Sequence, residues 1–269
     1  MSTPPELLPA LQHERDISYW AVSVIFLLPY DFILRLSLEI QYIWKSPWTL
    51  FKALYLIQRF LPFVDCFFLL IIFRFAPGLS EKECYYGHRA LMFTSTVGVA
   101  LSNIVSSVRI WNFDSAFRHP RSDIQVFEML VLPIQTHRSL TPLIVAILPI
   151  PNFRGCFIID GDEVYTIWIT WLIYDTSATV LMLIPAFWAY REGGLPNLLR
   201  VIYQDGALYF MLMLLLSTAN IVIIKTLPSE FTLVLGPLQR VLHCILTSHL
   251  IIHIRQVASK NIVIESTPL

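Results

Sequence analysis

The chain has 269 residues, 56% of them hydrophobic and only 14% charged, with a mean hydropathy of +0.63. A soluble domain carries about a quarter charged residues, so a soluble fold of this composition would present large apolar patches to water. The 19 basic residues balance the 19 acidic ones, which excludes the basic face of a nucleic-acid binder and points to a protein whose first partners are membrane lipids.

Residues 1–16 read as a short polar tail with prolines and mixed charge. The tail lacks the basic-then-apolar pattern of a cleavable signal, so the first apolar segment is expected to act as its own insertion signal. Residue 2 is Ser and the last residues are Ser266-Thr267-Pro268-Leu269, which is no lipid-attachment motif. Seven segments are candidates for a spanning helix, which needs about 20 mainly apolar residues. They run from about Ile17 to Ile40, Leu50 to Phe75, Ala90 to Trp111, within Ile124–Ile150, Val164 to Tyr190, Gly206 to Leu227, and Phe231 to Ile254. The third, fifth and sixth are the clearest. In the fourth, a polar stretch Gln135-Thr136-His137-Arg138-Ser139 interrupts the apolar run, and Pro133, Pro142 and Pro149 would kink or break a helix. It reads as a kinked span, with a re-entrant hairpin buried in protein as the alternative. Residues 17–255 thus form one all-α domain, a polytopic transmembrane bundle of seven helices, followed by a short tail, residues 256–269.

Trp44, Trp48, Tyr85, Tyr86, Trp111 and Tyr190 sit near segment ends, where amphipathic rings mark the membrane interface. With the N-terminus outside, the inner regions hold Lys45, Lys52, Arg118, Arg121, Arg191, Arg200, Arg255 and Lys260; the outer ones hold Arg15, Arg74, Lys82, Arg89, Arg154 and Lys225. The excess favours N-out and C-in. Cys66 and Cys244 fall inside spans, where a thiol is a small apolar filler. Cys84 and Cys156 fall in loops on the outer, oxidising side, where they can form a disulfide; two free thiols are the alternative. No Asn-x-Ser/Thr site marks the outer face.

Ionisable residues inside a membrane are costly and raise a functional question. Asp31, Arg35 and Glu39 are spaced four and four and share one helical face. Such an acid–base–acid ladder is a structural pin or a switchable salt bridge toward a cytosolic partner. Arg59 and Asp65 are six apart on the second span, with Pro62 between them. Asp65 is expected to pair with another helix or to line a polar cavity, with Asn103, Asp175 and Asn220 as co-lining groups. Interhelical hydrogen bonding alone would account for the asparagines. His249 and His253, four apart, have the spacing of two zinc ligands on a helix, one short of a catalytic set of three. There is no phosphate-binding Gly-rich loop, nucleophile elbow or Cys-x-x-Cys pair, so nothing calls for a cofactor.

The stretch LPYDFILRLSLEIQYIWKSPWTLFKALYLIQRFLPFVD, with Tyr30, Asp31, Glu39, Tyr42, Trp44, Lys52, Arg59, Phe60 and Pro62, resembles the N-terminal signature of a large basidiomycete fungal family of membrane proteins. Arg200, Asp205, Gly206, Tyr209, Phe210 and Asn220 resemble the same family's entry into its sixth span. After the third span the chain keeps only Arg109 and Trp111 of the family pattern. The family carries a domain of unknown function, so the resemblance implies seven helices and no activity. The layout, with the N-terminus outside, a loop disulfide and basic inner loops, makes a receptor-like function the expectation: a small-molecule or lipid ligand held among the outer halves, with a cytosolic partner at the inner loops. A zinc-dependent membrane hydrolase using His249 and His253, and a proton-coupled transporter using Asp65 and Asp175, are the alternatives.

Overall fold

A computed structural model describes residues 7–70, 80–114, 144–146, 157–160, 164–191, 197–227, 231 and 234–265. Six helices lie among them: α1 (Leu7–Glu39), α2 (Leu50–Leu70), α3 (Glu81–Asp114), α4 (Val164–Arg191), α5 (Asn197–Thr226) and α6 (Gly236–Glu265). Two short strands, β1 (Ile144–Ala146) and β2 (Phe157–Asp160), pair antiparallel between α3 and α4. Among the described residues, four stretches are long and apolar enough to cross a membrane: Arg15–Trp44, Leu50–Leu70, Gly206–Thr226 and Gly236–Ser259. The chain is an integral membrane protein.

The burial pattern is that of a protein in lipid. Large apolar side chains face outward, including Phe26 at 67%, Ile33 at 70% and Leu208 at 68% exposure, while Glu39, Arg59 and Asp175 are fully buried. In water this arrangement would be unstable on both counts. In a bilayer, lipid solvates the apolar surface, and the bundle is held by close packing and interhelical polar contacts.

Local sequence sets the helix ends. α1 starts within the predicted polar tail, because Leu7, Leu8, Ala10 and Leu11 favour a helix. It tolerates Pro29 and ends in a π-helical turn, Ile40–Trp44, where Lys45 N–H reaches back to the Ile40 carbonyl at 3.2 Å. Thr49 caps α2 by accepting the Lys52 N–H at 3.2 Å. Ser80 and Glu83 form a capping box on α3: Glu83 Oε2 accepts the Ser80 N–H at 2.8 Å, and Ser80 Oγ accepts the Glu83 N–H at 3.3 Å. These bonds hold the Glu83 carboxyl below its ordinary range, because they favour the charged form.

Most of the predicted fourth span, Ile124–Ile150, lies outside the described residues. Its described part, Ile144–Ala146, is a strand and not a helix. Pro142 and Pro149 bracket it, and β-branched Ile144 and Val145 favour extended backbone.

Helix directions follow from cross-contacts. α1 and α6 run parallel: Trp20 Nε1 donates to the Val234 carbonyl at 2.9 Å near one end, and Arg255 Nη1 donates to the Tyr42 carbonyl at 2.6 Å near the other. α3 runs with α6, since Gly98 lies beside Arg240, and Val105 shares a core cluster with Ile251. α4 does too, with Trp168 beside Gly236 and Trp171 near His243. α5 runs opposite to α6, pairing Tyr209 with His243 and Asn220 with Gln239. α6 is the hub, packing Val241 and Ile245 against α1 and α2, and Leu242 and Leu246 against the α3–α4–α5 cluster.

Candidate functional site

Among the described residues, the buried charges other than Lys52 fall into three groups. The largest joins α1, α2 and α6 near the end where α1 and α2 connect. Asp31 and Glu39 stand two turns apart on one face of α1, and between them reaches Arg59 of α2. Its Nη2 donates to Asp31 Oδ2 at 3.1 Å and lies 2.7 Å from Glu39 Oε1. The Arg59 and Glu39 side chains have no exposed surface. The Phe32 ring lies 5.4 Å from the guanidinium, and Cys244 Sγ lies 3.9 Å from Nη1. From α6, His249 Nε2 meets Asp31 Oδ1 at 2.6 Å, while its Nδ1 lies 3.5 Å from Arg35 Nη2. His249 thus links the Asp31 carboxylate to Arg35 across the α1–α6 interface. The cluster brings two carboxyl groups, Asp31 and Glu39, together with the guanidiniums of Arg59 and, through the imidazole, Arg35.

The expected ladder within α1 takes a different form here. Arg59, not Arg35, sits between the two acids, and Arg35 turns toward α6. An i,i+4 pair is the best partner only for an isolated helix. In the bundle, the acids face α2, where the guanidinium of Arg59 is fully desolvated and needs both of them.

The second group is the pair Asp65–Arg240, with Nε donating to Oδ2 at 2.9 Å and both side chains buried. Its place depends on Gly98 of α3, because a methyl there would overlap the Arg240 guanidinium. The third group lies among α4, α5 and α6. Ser217 Oγ donates to Asp175, Gln239 Nε2 donates to Ser217 Oγ at 3.0 Å, and Asn220 Nδ2 donates to Gln239 Oε1 at 3.1 Å. Asp175 and Asn220 thus share one network that is separate from Asp65. Asn103 falls within α3, but its side chain is not among those described. Tyr209 Oη and His243 Nδ1 meet at 2.7 Å in the same core.

His249, one of the two histidines with zinc-like spacing, is taken up by the first charge group. Both nitrogens of His249 are engaged, His253 is exposed, and among the described residues no three His, Cys, Asp or Glu are grouped to hold a metal ion. Cys66 and Cys244 are free and buried. Cys84 is buried and disulfide-bonded; Cys156 lies outside the described residues.

Lys52 and Arg255 have roles that a loop-charge count misses. Lys52 is buried, and its Nζ donates to the carbonyls of Trp44 and Ser46, each at 2.7 Å, satisfying orphan acceptors past the end of α1. Arg255 donates to the Tyr42 carbonyl and, at 3.1 Å, to Ser46 Oγ. Both basic residues help to build the α1–α2 connection.

Residues 19–64 match a family of unknown function (DUF6533). The matched stretch contains Asp31, Glu39, Lys52 and Arg59, so it supplies most of the first charge group and the lysine that closes the connection. The α6 partners, His249 and Arg255, lie outside it. No curated protein matches the chain.

Proposed function

We propose that the chain is a seven-span, receptor-like membrane protein, with its N-terminus outside. Its Asp31–Glu39–Arg59–His249 cluster holds the inner ends of α1, α2 and α6 in one resting arrangement. The observation that carries this reading is a single, fully buried guanidinium joining two carboxylates of a neighbouring helix, one of which also bonds to α6. Buried charge networks of this kind favour discrete packings over gradual deformation. Breaking one contact leaves a desolvated charge, so the helices either stay joined or move to a second arrangement. A ligand among the outer halves would act by favouring that second arrangement, which a cytosolic partner would read.

Helix direction supports the seventh crossing. α3 ends at Asp114, at the end of the bundle where α1 and α2 connect. The start of α4 belongs to the opposite end, where Trp168 lies beside Gly236. A further crossing between α3 and α4 fits these directions, and the 29 residues between Asp114 and Ile144 are long enough for one at about 1.5 Å each. That crossing would place Cys156 on the same side as Cys84, where we propose they pair.

Spin labels on the inner ends of α1 and α6 test the switch. Asp31→Asn and Glu39→Gln should broaden the α1–α6 distance distribution or shift it to a second peak, and should change recovery of a bound cytosolic partner. An unchanged distribution in both variants would reduce the cluster to a structural pin.

A further inference from the structure

Among the described residues, Asp175 differs from every other buried acid. Asp31 and Glu39 meet Arg59, and Asp65 meets Arg240. Asp175, near the middle of α4 and without exposed surface, meets no basic side chain among the described residues. Its carboxyl receives one hydrogen bond, from Ser217 Oγ to Oδ2, while Oδ1 is buried without a partner. The donors that lead to it point one way. Asn220 Nδ2 donates to Gln239 Oε1, Gln239 Nε2 to Ser217 Oγ, and the Ser217 hydroxyl to Asp175, so the relay delivers a single hydrogen.

The groups around the carboxyl are neutral or taken elsewhere. On α4, Thr179 Oγ1 donates to the Asp175 backbone carbonyl at 2.6 Å, and Trp171, Tyr174 and Ala178 fill the turns beside it. α5 brings Met213 and Ser217 to this core, and α3 brings Val99. On α6, beside Gln239, Arg240 is taken by Asp65 and His243 by Tyr209. A carboxylate removed from water needs a cation or about two or three donors, and Asp175 has neither. A metal ion would need several oxygens, yet Ser217 Oγ and Gln239 Oε1 already accept bonds, which leaves Oδ1 alone. A proton needs only that one oxygen. We propose that Asp175 is a proton-binding site: Oδ1 carries the proton in the folded bundle, Oδ2 accepts from Ser217, and loss of the proton loosens α4 from α5 and α6. The Asp31–Glu39–Arg59–His249 cluster takes no part in this site, which stands whether or not that cluster switches.

Infrared spectra of the full chain in phosphatidylcholine bilayers test the proton directly. At neutral pH, the spectrum of the unmodified chain minus that of Asp175→Asn should contain the carbonyl stretch of a neutral carboxyl group. Ser217→Ala should keep that band and move it to higher frequency, because the carbonyl oxygen Oδ2 loses its hydrogen bond. Stability reads the same proton. An unfolded aspartate ionises at about pH 4. From there up to the pH at which the folded chain releases the proton, the unfolding constant of the unmodified chain should rise about tenfold more per pH unit than that of Asp175→Asn; above it the two should run parallel. Should Asp175→Asn fail to fold, the band shift in Ser217→Ala carries the test, and an unmoved band would overturn the proposal. Loss of a carboxylate band in place of the neutral one would also overturn it. So would stabilisation by sodium, not potassium, that disappears in Asp175→Asn, because the site would then hold a metal ion.

Discussion

Replacing Arg59 by Met removes the one positive charge between Asp31 and Glu39 while keeping much of the side-chain volume. Glu39 is fully buried and the Asp31 side chain is only 10% exposed, so neither acid can turn to water. Stranding one partner of a buried pair costs about 3–5 kcal/mol. At about 2–4 °C per kcal/mol for a chain somewhat smaller than this one, the unfolding temperature in detergent should fall by on the order of 10 °C. The decisive comparison is the triple variant Arg59→Met with Asp31→Asn and Glu39→Gln. It removes all three charges together and should recover most of the loss, because replacing a whole buried ion network is often neutral. Thermal unfolding followed by labelling of Cys66 and Cys244, both free and buried, reads the effect directly. An Arg59→Met variant that unfolds with the unmodified chain, or a triple variant as unstable as the single, would refute the view that desolvated charge dominates this site.

Gly98→Ala should destabilise by displacing the Arg240 guanidinium from Asp65, and the double variant with Arg240→Met should be no worse than Arg240→Met alone; additive losses would show that Gly98 acts elsewhere. Tyr209→Phe leaves His243 Nδ1 without its partner and should cost about 0.6 kcal/mol, the mean for interhelical bonds in lipid, read by equilibrium unfolding in mixed micelles. Because the Glu83 carboxyl lies below its ordinary range, its capping contribution is complete above that range and is lost as pH falls through the lowered value. Amide exchange in the first turn of α3 should therefore quicken in acid; Glu83→Gln should abolish the dependence, and Ser80→Ala, which keeps the backbone N–H donor, should only reduce it.

The membrane character and the helical segments could be read from the chain because long apolar runs report a local property. The i,i+8 spacing of Asp31 and Glu39 likewise placed them on one face without any structure. Their real partner could not be read. Arg59 reaches them across a connection, and His249 lies more than 200 residues away, so no local rule links them. His249 and His253 gave a helical spacing that suited zinc, yet spacing says nothing of what fills the facing helix, here Asp31. Lys52 misled for a related reason: it has the position of a loop cation, but the free carbonyls of Trp44 and Ser46 draw it inward. Span four was ambiguous because its prolines and β-branched residues are compatible with either a kinked helix or extended chain, and Ile144–Ala146 takes the second.

Arg255 and Lys52 together fasten the last helix to the turn between the first two, through the backbone of Tyr42, Trp44 and Ser46. The exposed Trp48, whose ring lies 4.6 Å from Lys52 Nζ, is carried on that fastening. A tilt of the last helix is therefore transmitted to an aromatic side chain at the membrane's edge, and fluorescence from that single indole, with the other six tryptophans replaced, would register movement deep in the bundle without any probe being attached.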